Sequence, residues 1–220
     1  VRLQDRAVFA SYYPGDNSAA VAAVRELAAG NGDVALYLHG VAGGGKSHLL
    51  QACCAEIPGA GYFPLTQLRE LTPDVLEGAE RLGAVAIDDL HCIAGEAEWE
   101  RRLFTLYNEC MANRTRIIVA APCPATALGI VLPDLRSRLA SMPHFALRPL
   151  DEVQQREALR LRAALRGMEL PDETLLYLQR RFARDMAQLH VLLDRLDVAS
   201  LQEQRRITVP FIRQVMDDPT

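Results

Sequence analysis

Gly40-Val41-Ala42-Gly43-Gly44-Gly45-Lys46-Ser47 is the stretch on which the reading of this chain turns. It meets every fixed position of the pattern G-x-x-x-x-G-K-[ST]. Consecutive glycines let backbone N–H groups turn inward into a concave anion nest that side chains would obstruct. The lysine is a compact cation able to reach the β- and γ-phosphates of a nucleotide, and the serine offers its hydroxyl to Mg2+. The flanks agree: residues 34–38 read as a buried strand, and residues 48–56 as a helix whose N-terminus faces the phosphates. A glycine-rich turn between strand and helix is the competing reading, and the basic residues weigh against it. Of the 24 basic residues 23 are arginine, and the single lysine is Lys46. In so arginine-biased a chain a lone lysine belongs where guanidinium cannot replace ammonium.

Phosphate chemistry also needs an acidic group near the metal. Residues 84–89 form a short apolar run ending in two carboxylates, Asp88 and Asp89. In a parallel sheet the carboxyl ends of the strands meet the ligand crevice. Asp88 is therefore expected beside the phosphates, assisting the metal through water, with Asp89 placed to polarise an attacking water. A strand followed by an Asp-rich turn is the plain alternative, and a complete phosphate loop upstream tells against it.

Outward from these motifs the elements alternate. Residues 61–65 read as a second strand, and residues 96–112 as a helix with Trp99, Leu103, Leu106, Tyr107 and Cys110 on a core face. Residues 116–121 read as another strand, ended by Pro122 and Pro124; residues 135–139 as a short helix; residues 145–147 as a last strand before Pro149. This alternation predicts an α/β fold, a parallel five-stranded sheet flanked by helices. After Pro149 the pattern is helical only. A helix over 152–166 is closed by Gly167, and a second is opened by Pro171 and Asp172. A third over 185–204 sets Met186, Leu189, Leu192, Leu193 and Leu196 on one face, and a short fourth starts near Thr208 and Pro210. The expected organisation is an α/β nucleotide-binding base over 1–149 and a small helical lid over 150–220.

Composition bounds the function classes. The chain has 220 residues, half of them hydrophobic, and a formal net charge of −4. That suffices for a core and excludes a disordered or collagen-like chain. The acidic balance argues against a free-standing DNA-binding protein. No apolar run approaches the roughly 18 residues of a membrane span, and the charged opening shows no signal peptide. A soluble, cytoplasmic protein is expected. The five cysteines form no CxxC pair, so buried reduced thiols are expected in preference to a zinc site.

With these residues in place, the chain resembles the AAA+ ATPases, and among them the nucleotide-binding module of the bacterial replication initiator DnaA. The stretch FASYYPGDN, residues 9–17, is similar to the segment with which that family approaches adenine, which implies roles for Tyr12, Tyr13 and Asn17. GVAGGGKSHLL and AVAIDDLHCIAGEAEWE resemble its Walker A and Walker B stretches; the former implies nucleotide contacts for Gly43, Gly44, Gly45, Lys46, Ser47 and His48. Read by itself, His48 is a packing or capping residue. LRSRL, residues 135–139, resembles the arginine-finger motif and puts the finger on Arg138. FASYYPGDN, CIAGEAEWE, LPDLRSRL, LRGMELPDE and ITVPFIRQV resemble the Hda family in particular, whose members end after the lid without the helix-turn-helix of DnaA.

That resemblance implies a mechanism. The ADP-bound protein associates with the DNA-loaded sliding clamp of DNA polymerase III, engages ATP–DnaA and stimulates hydrolysis of the initiator's ATP, with Arg138 acting in trans. It implies ADP or ATP as ligand, Mg2+ held through Ser47 and Asp88, DNA met only through the clamp, a homo-oligomer as a further state, and no membrane. The family's clamp-binding peptide precedes the position of Val1. Two positions depart from the family. Its polar sensor after the fourth strand aligns with Pro122, which cannot polarise water. Its lid sensor arginine aligns with Ala187, leaving Arg184 one turn earlier as the substitute. Both departures imply weak or no intrinsic ATP turnover with binding intact. Asp134 and Arg138, spaced i,i+4, also fit a plain surface ion pair. Two other functions stay open: a self-sufficient ATPase or helicase-loader-like remodeller, and a nucleotide-stabilised scaffold on the clamp.

Overall fold

The structure, a computed structural model, describes residues 7–182, 192–193, 195–200 and 207–217. One compact unit spans Ala7–Pro149, and the residues from Leu150 onward form a second.

In the first unit, β1 (Ala35–His39), β2 (Gly61–Pro64), β3 (Ala84–Asp88), β4 (Arg116–Ala121) and β5 (His144–Ala146) pair in parallel in the order β2-β3-β4-β1-β5. The helices α1 (Ser18–Ala29), α2 (Lys46–Glu56), α3 (Leu65–Leu68), α4 (Ala97–Asn113) and α5 (Pro133–Ser141) lie among them in the chain. The predicted α/β architecture is the observed one. β3 is buried along its whole length and β4 along all but its first residue, which is why both read as unbroken apolar runs and not as alternating ones.

Because successive strand residues face opposite sides, the sheet feeds two apolar layers. Tyr37, Ile87 and Val119 pack with Trp99, Leu103, Leu106 and Cys110 of α4 and with Leu135 and Leu139 of α5. Leu36, Leu38 and Ile118 pack with Val24 and Leu27 of α1 and with Leu49, Leu50 and Cys53 of α2. α1 was not among the sequence expectations. Its last carbonyls are closed by Arg116, whose Nη1 donates to Ala28 O at 2.8 Å and Leu27 O at 3.4 Å. The last strand lies one residue earlier than the predicted 145–147, with His144 in register with Tyr37.

The second unit holds α6 (Glu152–Leu165), α7 (Asp172–Phe182), helical residues at 195–200 and α8 (Val209–Asp217). Leu159, Leu175, Leu178, Leu193, Leu196, Phe211 and Ile212 form a core of its own. α6 opens with a reciprocal cap: Asp151 Oδ1 accepts from Gln154 N at 2.8 Å, and Gln154 Oε1 accepts from Asp151 N at 3.1 Å. Of the features expected in the third lid helix, Arg184, Met186, Ala187 and Leu189 lie outside the described residues.

All five cysteines are free thiols, but only Cys53 and Cys110 are buried; Cys54, Cys92 and Cys123 are partly exposed. The expectation of buried thiols therefore holds for the two that point into the layers beside the sheet, and burial pushes both up to about 12. No helix among the described residues is long and apolar enough to cross a membrane.

Candidate nucleotide site and the arginine helix

β1 ends at His39, α2 begins at Lys46, and the glycine-rich loop spans the gap. Two glycines there are required by geometry. Gly40 has φ +151, and a Cβ on it would stand 2.3 Å from the carbonyl oxygen of Leu147. Gly45, the residue before α2, has φ +87, and a Cβ on it would stand 2.6 Å from Tyr12 Cε2. The chain reaches its helix start only because both positions lack a side chain. Lys46 folds back over the loop, with Nζ donating to Gly40 O at 2.6 Å and Val41 O at 3.0 Å. Burial lowers the Lys46 pKa, and the charges of Asp88 and Asp89 oppose that shift. The predicted lysine and carboxylates thus share one electrostatic neighbourhood. Ser47 is exposed in the first turn of α2.

Asp88 is 1% exposed at the carboxyl end of β3. Its Oδ2 accepts from the Tyr62 hydroxyl at 2.7 Å, and its Oδ1 from the Asp89 N–H at 2.9 Å. Burial and then Asp88 raise the Tyr62 pKa, while Gln51 and Ser47 act in the opposite sense, so Ser47 and Asp88 meet around one phenol. Each Asp88 oxygen keeps a second lone pair after these bonds. That donor set fits a magnesium ion bound at the Ser47 hydroxyl, with Asp88 holding its water. Asp89 adopts the left-handed region, φ +56, and its Oδ2 accepts from Thr66 Oγ1 at 3.1 Å. The turn lifts its half-buried carboxylate out of the strand line.

The segment carrying Tyr12 is fastened to the loop. Tyr12 is buried, its hydroxyl reaches Gly44 O at 3.4 Å, and its ring meets the His48 ring edge-on at 5.3 Å. Burial pushes its phenol up to about 12. Tyr13 is half-buried. Asn17 and His48, which the resemblance puts at the nucleotide, are also engaged within the protein. Asn17 is buried, donates from Nδ2 to Arg148 O at 2.9 Å and accepts at Oδ1 from Arg148 N at 2.8 Å. His48 Nε2 lies 2.9 Å from Val8 O and 3.3 Å from Ser11 Oγ. Both residues hold the Tyr12 segment in place, the first against the chain after β5 and the second against α2.

Arg138 stands exposed on α5 beside exposed Arg136, while Leu135 and Leu139 anchor the opposite face in the core. No ion pair joins Asp134 to Arg138, although both are described. Pro122 follows β4 and is exposed. Three partners went unread in the sequence: Tyr62 on Asp88, Thr66 on Asp89, and Glu100, whose buried carboxylate accepts from the backbone N–H groups of Gly95, Val131 and Leu132. None has a motif. Each meets its partner through folding alone.

The fold is shared with solved proteins. Domain III of the replication initiation protein DnaA from Thermotoga maritima matches with a TM-score of 0.78 and 22% identity, over 99% of this chain and 98% of that one. A DnaA bound to AMPPCP and single-stranded DNA matches with a TM-score of 0.69 and 17% identity, over 93% and 70%. A point variant of Thermotoga maritima RuvB matches with a TM-score of 0.63 and 17% identity, over 91% and 67%. This is the AAA+ fold, a P-loop base followed by a helical lid. Within that class, residues 151–216 match the family described as "Hda, lid domain". The chain thus has the fold of DnaA domain III and carries a segment similar to the lid of the Hda family.

Proposed function

We propose that this protein is a negative regulator of DNA replication initiation. Bound to an adenine nucleotide and to the DNA-loaded sliding clamp, it engages DnaA and supplies Arg138 to DnaA-bound ATP. The observation that carries the reading is the Hda lid match over residues 151–216. Two DnaA structures of the same fold carry AMPPCP, which supports an adenine nucleotide at the Lys46 loop; ADP as the active form follows from the Hda resemblance alone.

Each residue then has a physical task. The loop N–H groups and Lys46 bind the phosphates, replacing the contacts Lys46 now makes with Gly40 and Val41. Tyr12 and Tyr13 border the base and ribose, on a segment fixed by Asn17 and His48. Magnesium, when bound at Ser47 with Asp88 through water, neutralises phosphate charge. Asp89 polarises the attacking water, and Pro122, at the position of the family's polar sensor, contributes no polar group, so turnover in this site is weak. Arg138 is an exposed cation with no carboxylate partner on its own helix. A guanidinium delivered to a neighbour's γ-phosphate stabilises charge that grows in the transition state, typically by about 10^3–10^5 in rate.

The test is phosphate release from ATP–DnaA in the presence of ADP, DNA-loaded clamp and the full-length protein. Acceleration should require every component and fall by about 10^3 or more in Arg138→Ala. Stimulation by Arg138→Ala equal to wild type would remove the finger. A second reading, a self-sufficient ATPase, is favoured by the nearness of Asp88 and Asp89 to Lys46; it predicts steady ATP turnover by this protein without clamp or DnaA. A protein with neither activity, yet stabilised by ADP, is a scaffold.

A further inference from the structure

Glu100 is 1% exposed, on α4, at a junction of three chain segments. Its Oε1 accepts from Gly95 N at 2.7 Å and Val131 N at 3.0 Å, and its Oε2 from Leu132 N at 2.7 Å and Val131 N at 3.1 Å. No described arginine or lysine pairs with it. A carboxylate so deeply buried without a cation persists only because N–H donors surround it. What those donors belong to is informative. Val131 and Leu132 lead into α5, the helix of Arg138. The residue at its N-cap position is Leu132, which has no acceptor, and its first helical residue is Pro133. A helix start ordinarily finds a Ser, Thr, Asp or Asn cap in its own sequence. Here Glu100, on another helix 31 and 32 residues away, holds the start from outside by accepting from the N–H of the N-cap residue Leu132 and of Val131 before it, and its negative charge meets the positive end of the α5 dipole. The third donor, Gly95, belongs to the segment that leaves Asp88 and Asp89 through the single 3-10 turn Leu90–Ile93.

We infer that Glu100 is the positioning residue of Arg138, locking the start of α5, and so the direction of the guanidinium, to the segment behind the paired aspartates. The inference rests on the reading of Arg138 as a finger. Arg138 lies six residues past Leu132, about 9 Å along the axis at 1.5 Å per residue. A small tilt at the anchored end therefore moves the guanidinium by about an ångström, and a misplacement of that size costs on the order of 100-fold where chemistry needs a pre-placed group.

Glu100→Gln preserves volume but sets an amide NH2 against backbone donors and removes the charge. It is assayed for stimulated phosphate release from ATP–DnaA, with ADP and DNA-loaded clamp, across a range of protein concentration. ADP affinity and thermal unfolding are measured on the same sample. The maximal stimulated rate should fall about tenfold or more, with the half-saturating concentration and ADP affinity little changed. In an Arg138→Ala background Glu100→Gln should cause no further loss, since the two act through one group. Leu132→Pro offers a second route if Glu100→Gln fails to fold: the Leu132 φ of −67 already suits proline, and one N–H is deleted while the carboxylate stays. Leu132→Ala is its control, losing the side chain and keeping the N–H, so only Leu132→Pro should lower the maximal rate. A wild-type maximal rate in Glu100→Gln, with Arg138→Ala inactive, overturns the positioning role and leaves the finger standing. Loss of ADP binding in parallel with stimulation makes Glu100 a general structural residue and equally overturns it. Arg138→Ala at the wild-type rate overturns the finger, and with it any positioning of it.

Discussion

At the scale of single residues, Gly45 shows how little room the phosphate loop has. Its φ of +87 is a region L side chains rarely adopt, and the Tyr12 ring already occupies the place of a Cβ. Gly45→Ala should destabilise the base by about 1–3 kcal/mol of backbone strain and push Tyr12 from the loop. Calorimetry and ADP titration should show a lower melting temperature together with weaker binding; unchanged values in both would mean that the Tyr12 contact does not shape the loop. Residues of this kind separate what a sequence discloses from what it hides. Lys46, Ser47, Asp88 and Asp89 were singled out because the phosphate-loop pattern and an acidic strand end are local in the chain, and in the fold the lysine feels the charge of both carboxylates. Tyr62, Thr66 and Glu100 were not, because each meets its partner across the sheet or between segments distant in sequence. Asn17 and His48 were assigned by resemblance to the ligand; their bonds run to Arg148, Val8 and Ser11.

At the scale of elements, the end of β1 carries a cluster that links sheet, loop and arginine helix. The rings of Tyr37 and His144 stack at 4.6 Å, His39 lies 5.9 Å from His144, and His144 Nε2 is 3.1 Å from Leu139 O of α5. Burial lowers the His39 pKa, with His144 and Lys46 adding to the shift. The sign follows from linkage. A folded-state value below the ordinary one of about 6.5 means that the unfolded chain binds the proton more readily. Stability is therefore full above about 6.5 and is lost as pH falls through the depressed folded value. Melting curves from pH 7.5 downward should show this loss, and His39→Gln should flatten it; an identical pH slope in that variant would assign the loss elsewhere. Element boundaries were read well where apolar runs are continuous, as in β3 and β4, whose burial on both faces leaves no alternation to misjudge. They were read less well in β5, a three-residue strand set by its pairing with β1. α1 escaped notice because its alanine-rich sequence is thin in large apolar residues: Val24 and Leu27 carry its buried face.

At the scale of the whole molecule, two units with separate cores make separable predictions. Phe211 of α8 is fully buried among Leu159, Leu175, Leu178 and Leu193. Phe211→Ala should remove about 3–5 kcal/mol from the lid unit. Hydrogen exchange should then speed up in α6, α7 and α8 while β1, β3 and β4 keep their protection; equal loss in the sheet would mean that the two cores unfold as one. Sheet architecture and, among the described residues after Pro149, the presence of helices without strands were both visible in the residue pattern, since period and turn residues change together there. On the proposed reading of Arg138 a finer point matters, that it rides a helix whose start is held by a carboxylate from elsewhere.

The lone lysine has a consequence for chemistry performed on the protein. Lys46 is the chain's single ε-amine, it is cradled by two loop carbonyls, and burial eases its loss of a proton. An acylating reagent selective for lysine thus has one address, inside the phosphate loop. Once acylated, Lys46 no longer admits trypsin, and the fragments 26–46 and 47–69 give way to one peptide, 26–69. Mass spectrometry of that peptide counts loops that were open to reagent, molecule by molecule, and turns the arginine bias of this sequence into a built-in occupancy gauge.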